Sequence, residues 1–302
     1  MSKRDFLTLL DCTPEELKHL IQRSAALKTL HTNGEVYQPF PGRTAAMILQ
    51  LSSTRTRVAF EAGMNQLGGH AIFLGTSDTQ LGRGESTQDM ARVLSEMVDI
   101  VMIRTLDQDD LEDFAKAASI PVINAMTSRY HPCQLLADVQ TFVELRGPIE
   151  GKKVAFVGDG YNMCASYINA ARQWGFNLRI AAPPGYEPDA QLLASTNHAA
   201  LVETPREAVE NADLVVTDVW SSIGHEGQEE QRRATFASYQ VNEDLLAYAK
   251  TDTLFTHCLP AHRGEEVNAT VLDDPRSATW IAASNRLHSQ KALVEFLLTC
   301  ET

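Results

Sequence analysis

At 302 residues the chain is long enough for two hydrophobic cores, because single cores stop growing at about 250–300 residues. Its 26 Lys and Arg against 39 Asp and Glu give a net charge of −13, which argues against nucleic acid or an anionic membrane as main partner. A composition 44% hydrophobic and 22% charged has no run near the ~20 apolar residues of a membrane span, and Met1 to Phe6 lack signal-peptide character; a cytoplasmic globular protein is expected.

The pattern predicts a helix near 14–29, then a strand at 44–51 and a helix at 56–67. Strands at 70–74, 99–103 and 120–124 alternate with helices near 86–97 and 109–118. A longer helix, 132–147, ends at Arg146-Gly147-Pro148, where glycine and proline stop it. The rhythm then restarts: strand 153–158, helix 163–174, strand 177–182, helices near 187–195 and 204–210, and strands at 213–217 and 254–258. Residues 278–282 read as strand and 286–300 as a last helix, while the charged stretch Glu226 to Arg233 reads as a solvated loop, short helix or flap. Short apolar runs between amphipathic stretches indicate βαβ units, hence an α/β chain of two domains, each a parallel sheet flanked by helices.

Ligands of open parallel sheets bind at the carboxyl ends of the strands, so the residues there carry the functional argument. The first strand runs into Ser53-Thr54-Arg55-Thr56-Arg57 at a helix start, where free N–H groups, hydroxyls and guanidinium forks suit a phosphate. Gln80 and Arg83 lie in the loop after the second strand, Arg104 ends the third, and His131-Pro132-Cys133-Gln134 follows the fourth. In the second half the equivalent places hold Asp159-Gly160-Tyr161-Asn162, Asp218-Val219-Trp220-Ser221-Ser222 and His257-Cys258-Leu259-Pro260. The first set suits a phosphate beside a polarised carbonyl, and Asn162, Asp218 and Ser222 suit the ammonium and carboxylate of an amino acid. A phosphorylated acyl donor facing an amine across an interdomain cleft is an arrangement for acyl transfer. Gly158-Asp159-Gly160 hints at a dinucleotide site, but Met163 stands where a third glycine belongs and Ala182-Pro183-Pro184 lacks the ribose-binding acid. The five scattered cysteines show neither zinc spacing nor a disulfide framework, so no metal is expected.

These motifs, together with Ile223-Gly224 and Asn285-Arg286-Leu287-His288, resemble the ornithine-using side of the aspartate/ornithine carbamoyltransferase family over essentially the whole chain. The resemblance implies a carbamoyl-phosphate domain (1–145), an ornithine domain (146–284) and a C-terminal helix (285–302) returning to the first domain. It also implies a homotrimer with no cofactor. Ser53, Thr54, Arg55 and Thr56 would hold the phosphate with Arg104 and Arg286, and Gln80 would reach the site of a neighbouring subunit. His131, Pro132, Cys133 and Gln134 would surround the carbamoyl group. Asn162, Asp218, Ser222 and Ile223 would hold ornithine, with Cys258 and Leu259 closing the reacting end. Arg55, Arg104, His131, Asp218 and Cys258 are the implied catalytic set, with either Asp218 or Cys258 taking the amine proton. Another acceptor amine, such as putrescine or an acylated ornithine, and an inactive ligand-binding homologue are the alternatives. Ile223, Tyr161 and Ser284 depart from the family pattern, where methionine, asparagine and an acid are usual.

Overall fold

The computed structural model describes residues 3–75, 84–222, 224 and 227–299. The chain divides into two compact units, Met1–Gln140 with Ser284–Thr302, and Thr141–Ala283.

The first unit opens with α1 (Pro14–Thr32), capped as its sequence dictates. The Thr13 hydroxyl accepts the Glu16 N–H, the Glu16 carboxylate accepts the Thr13 N–H, and Pro14 takes the first helical position, where no N–H is needed. There follow β1 (Thr44–Leu49), α2 (Thr54–Gln66), β2 (His70–Gly75), α3 (Thr87–Ser95), β3 (Ile100–Arg104), α4 (Gln108–Ala117), β4 (Val122–Met126) and α5 (Pro132–Arg146). The four strands are parallel in the order β2-β1-β3-β4. β1, β3 and β4 are apolar runs buried along nearly their whole length, as strands with helices on both faces must be. The N-terminal segment runs parallel to β4 and shields that edge, with Phe6 wholly buried and bridging Ile123.

The second unit holds β5 (Lys153–Val157), α6 (Asn162–Trp174), β6 (Asn177–Ala181), α7 (Ala190–Ala194), β7 (Ala199–Leu201), α8 (Pro205–Val209) and β8 (Leu214–Thr217). It continues through α9 (Glu229–Phe236), α10 (Glu243–Leu246), β9 (Leu254–His257) and α11 (Ala269–Leu272). Its five parallel strands run β7-β6-β5-β8-β9. Ala155, Val157, Val215 and Phe255 build one core layer of this sheet with Val241, Leu246 and Val271.

The last helix, α12 (Thr279–Thr299), begins where the sequence suggested a strand at 278–282. Trp280 and Ile281 favour strands locally, but Ala278 pairs with Phe255 and the segment then coils directly into the helix. From Ser284 onward α12 belongs to the first unit: the Lys28 ammonium donates to the Asn285 side chain at 2.8 Å and the Lys291 ammonium to Gln66 at 3.0 Å.

Candidate active site

In each sheet the strand order reverses at one place, and that switch point is where side chains converge. In the first unit it lies between β1 and β3, whose ends Leu49 and Arg104 are register partners. The chain leaves β1 and reaches Ser53, which caps α2: its hydroxyl accepts the Thr56 N–H at 3.2 Å and donates to the Thr56 hydroxyl at 3.0 Å. Thr56 is completely buried, Arg55 half-buried and Thr54 exposed. Arg57 faces away, pairing with Glu61 at 3.1 Å and lying over the Phe73 ring.

His131 and α5 close this group from the β4 side. The His131 ring is buried, and burial together with the charges of Arg286, Arg104 and Arg55 holds its pKa well below 6.5, so the imidazole is neutral near pH 7. A neutral ring keeps one N–H to donate to a carbonyl oxygen and is too weak an acid to give that proton up. Arg286, 2% exposed, reaches from α12 to donate to the Gln134 side-chain oxygen at 2.7 Å and to the Thr56 hydroxyl at 3.3 Å. Gln134 in turn donates to Asp138 at 2.9 Å. One guanidinium thus ties α12 to α2 and α5, beneath the residues expected to meet a phosphate. Cys133, expected among the ligand-binding residues, has a fully buried thiol that donates to the Asn124 carbonyl at 3.3 Å. Burial raises that thiol to about 12, so it is an inert packing group at the start of α5, and only the backbone at 133 is left to meet a ligand.

In the second unit the switch point lies between β5 and β8. Beyond β5, Gly158 takes a φ of +136° and Gly160 lies so close to the Tyr186–Pro188 backbone that an added Cβ would collide with it. The close approach that hinted at a dinucleotide is therefore made to the chain's own backbone. Asn162, buried, is the first residue of α6. Beyond β8, the Asp218 carboxylate accepts the Val219 N–H and the Cys258 thiol through one oxygen, Oδ1, both at 2.8 Å. Burial raises the pKa of Asp218, opposed by His257, the Cys258 hydrogen bond and the Val219 N–H.

The Cys258 turn is fixed from behind. His257 Nδ1 accepts the Leu259 N–H at 2.8 Å, so Nε2 carries the proton and donates to Glu266 at 3.1 Å. Leu259 is held there in the left-handed region, at a φ of +59°. Asp218, His257 and Cys258 bring three metal-capable atoms within 4.8 Å, as do His262, Glu265 and Glu266. Both ring nitrogens of His257 are already engaged within the protein, which leaves that first group without its imidazole ligand.

The structure therefore gathers Ser53, Thr54, Arg55, Thr56, Arg104, His131, Pro132, Gln134 and Arg286 in one unit. Asn162, Asp218, Ser222, Cys258 and Leu259 lie in the other. Gln80 and Ile223 lie outside the described residues. Sequence reasoning singled out neither Glu266 nor Arg232, both buried charges beside the ornithine-side residues. The second sits in the stretch read as solvated, yet it is 3% exposed on α9. Its only sequence signal is a four-residue spacing from the apolar Phe236, which places both on one helix face.

Two family models cover nearly the whole chain. The aspartate/ornithine carbamoyltransferase carbamoyl-P binding domain matches residues 4–144, and the Asp/Orn binding domain matches residues 150–297. An ornithine carbamoyltransferase from Chromohalobacter salexigens is 58% identical over 300 residues, spanning 99% of this chain and 98% of that protein. Among solved structures, ornithine carbamoyltransferase from Burkholderia thailandensis superimposes with a TM-score of 0.91 at 50% identity, covering 98% of both chains. The enzyme from Pyrococcus furiosus gives 0.93 at 46% identity, covering 97% of this chain and 96% of that one. With both domains matched and more than half its residues shared with such a relative, the chain belongs to the aspartate/ornithine carbamoyltransferase family.

Proposed function

We propose that the protein transfers the carbamoyl group of carbamoyl phosphate to the δ-amine of L-ornithine, giving L-citrulline and phosphate. The observation that carries this reading is the pairing of Cys258 with the buried Asp218 at one switch point, in a chain whose other switch point gathers Ser53, Arg55, Thr56 and Arg104. The first pair suits an amine that must lose a proton, and the second group suits an anion.

The start of α2 takes the phosphate, with Arg55 and Arg104 supplying charge and Ser53, Thr54 and Thr56 supplying hydroxyl or backbone donors. Arg286 braces Thr56 and Gln134 and adds its charge from beneath. Neutral His131 points an N–H at the carbamoyl oxygen, where negative charge grows as the carbonyl carbon becomes tetrahedral. Asn162, Asp218 and Ser222 hold ornithine. Its δ-ammonium is almost wholly protonated in water at pH 7, so one proton must leave before attack. Asp218 receives that proton, its basicity raised by burial, and Cys258 steadies the carboxylate. The N–C bond then forms, the C–O bond to phosphate breaks, and the second amine proton leaves with the phosphate.

The chemistry acts within a homotrimer in the cytoplasm. The trimer is supported by β2, an edge strand on which Ile72 is exposed, with exposed Val58 and Met97 also on this unit. Citrulline formation by the purified protein tests the reaction, and a panel of ornithine, putrescine and N-acetylornithine tests the acceptor. Turnover of putrescine but not ornithine would overturn the assignment. Sedimentation at the mass of one 33.3 kDa chain would overturn the trimer.

A further inference from the structure

We propose that Arg232 is a positioning residue for the amine acceptor: its buried guanidinium ties the turn before Asn162 to the segment before Ser222. The inference rests on the reading that Asn162, Asp218 and Ser222 hold ornithine.

On α9 only Arg232 and Phe236 are buried; Glu229, Glu230, Gln231 and Arg233 face solvent. A guanidinium 3% exposed needs a counter-charge and acceptors inside the protein, because an unpaired buried charge is severely unfavourable. Arg232 meets this demand with two groups far apart in sequence. Nη2 donates to the Asp159 carboxylate, in the turn between β5 and α6, and Nε donates to the Trp220 carbonyl, just after β8. The flat face of the guanidinium lies 4.7 Å from the Tyr186 ring centre and 5.2 Å from that of Phe236, and those two rings meet edge to face. Tyr186 also accepts the Gly160 N–H at 2.8 Å, so the turn carrying Asp159 is gripped by backbone as well as by side chain.

A buried ion pair contributes little net stability compared with well-packed apolar side chains, so stability alone does not account for this arrangement. What it adds is placement. Asp159 precedes Asn162 by three residues and Trp220 precedes Ser222 by two, so one rigid fork sets the spacing of two of the three ornithine-side arms. Only arginine has a planar fork that can bridge both acceptors at once; lysine reaches one.

The test is steady-state kinetics with both substrates on Arg232→Met, Arg232→Lys and the double variant Asp159→Asn/Arg232→Met, alongside thermal midpoints. Displacing binding groups by a fraction of an ångström to about 1 Å is expected to raise KM for ornithine ~10- to ~100-fold in all three. KM for carbamoyl phosphate stays within about twofold on the same argument. The double variant buries no unpaired charge; it recovers the thermal midpoint lost in Arg232→Met while its ornithine KM stays raised. Wild-type ornithine KM in any of these variants overturns the proposal. So does an equal rise for both substrates, or recovery of KM together with the midpoint, which marks a merely structural pair. If Arg232→Met does not fold, the double variant decides. The underlying reading fails separately, by wild-type protein that makes no citrulline or by an Asn162→Ala variant with unchanged ornithine KM.

Discussion

The two switch points are built from opposite electrostatic materials. On the first, a histidine stands among three guanidinium groups, and burial first and their charge second keep its ring deprotonated, so the site is cationic yet holds a neutral ring. On the second, burial raises the carboxylates: Asp218 lies above its ordinary value, and Asp159 is pushed to about 7 despite its contact with Arg232. Fixed positive charge suits a group that arrives and leaves as an anion. A carboxylate whose proton affinity is raised, as at Asp218, suits a group that must surrender a proton. The same sheet architecture serves both because the strand ends supply position and the side chains supply the sign.

Substitutions that touch one side alone test this division. The largest effect is expected from Asp218→Asn, which should lower kcat/KM for ornithine by about 10²–10⁴, the usual contribution of a positioned acid or base. Carbamoyl phosphate binding, measured by calorimetry without ornithine, should be unchanged; its loss would break the division. Arg55→Ala should cost about 10²–10³ in kcat as a charge-stabilising donor is removed, and should weaken carbamoyl phosphate binding. An effect on ornithine alone would place Arg55 on the wrong side.

His131 gives a smaller effect that depends on pH. Its folded pKa is depressed below 6.5, whereas the unfolded chain regains the ordinary value. Below about pH 6.5 the unfolded state therefore binds more protons, and stability falls as pH drops toward the folded pKa. A His131→Asn variant should show a flatter decline in denaturation free energy from about pH 7 to about pH 5. Parallel curves for the two proteins would contradict the cationic surroundings. The smallest effect belongs to Arg57→Ala, whose exposed pair with Glu61 and contact with the Phe73 ring should together change stability by no more than about 1 kcal/mol and leave both KM values alone.

Local features were legible in the sequence and distant ones were not. Ser53 capping α2 after a buried strand depends on neighbours within a few residues, and pattern alone finds it. The three-residue β7 is too short for any periodicity to mark. The run at 278–282 misled because Thr, Trp and Ile favour strands, while its helix is set by packing 152 residues away, where Arg286 meets Gln134. Arg232 looked solvated because Glu-Glu-Gln-Arg-Arg is a polar run. Its burial is decided by Asp159, 73 residues earlier, which no local pattern encodes. Cys133 and Cys258 illustrate the same limit from the other direction: both stand in polar motifs, but one thiol packs against a backbone carbonyl and the other meets a carboxylate.

The span between Arg286 and Thr56, 230 residues, also sets an order of assembly. A chain made from its N-terminus completes all of the four-stranded sheet and then the whole second unit before Arg286 exists. Until that moment Thr56 and Gln134 lack the guanidinium that braces them, and the end of α2 proposed to take the phosphate is unfinished. Domains generally fold in the order they are synthesised, yet here the first to start is the last to be complete. A nascent or truncated chain would thus carry a folded sheet without a finished site at the start of α2, and on the proposed assignment carbamoyl phosphate binding becomes a report that synthesis has passed Arg286.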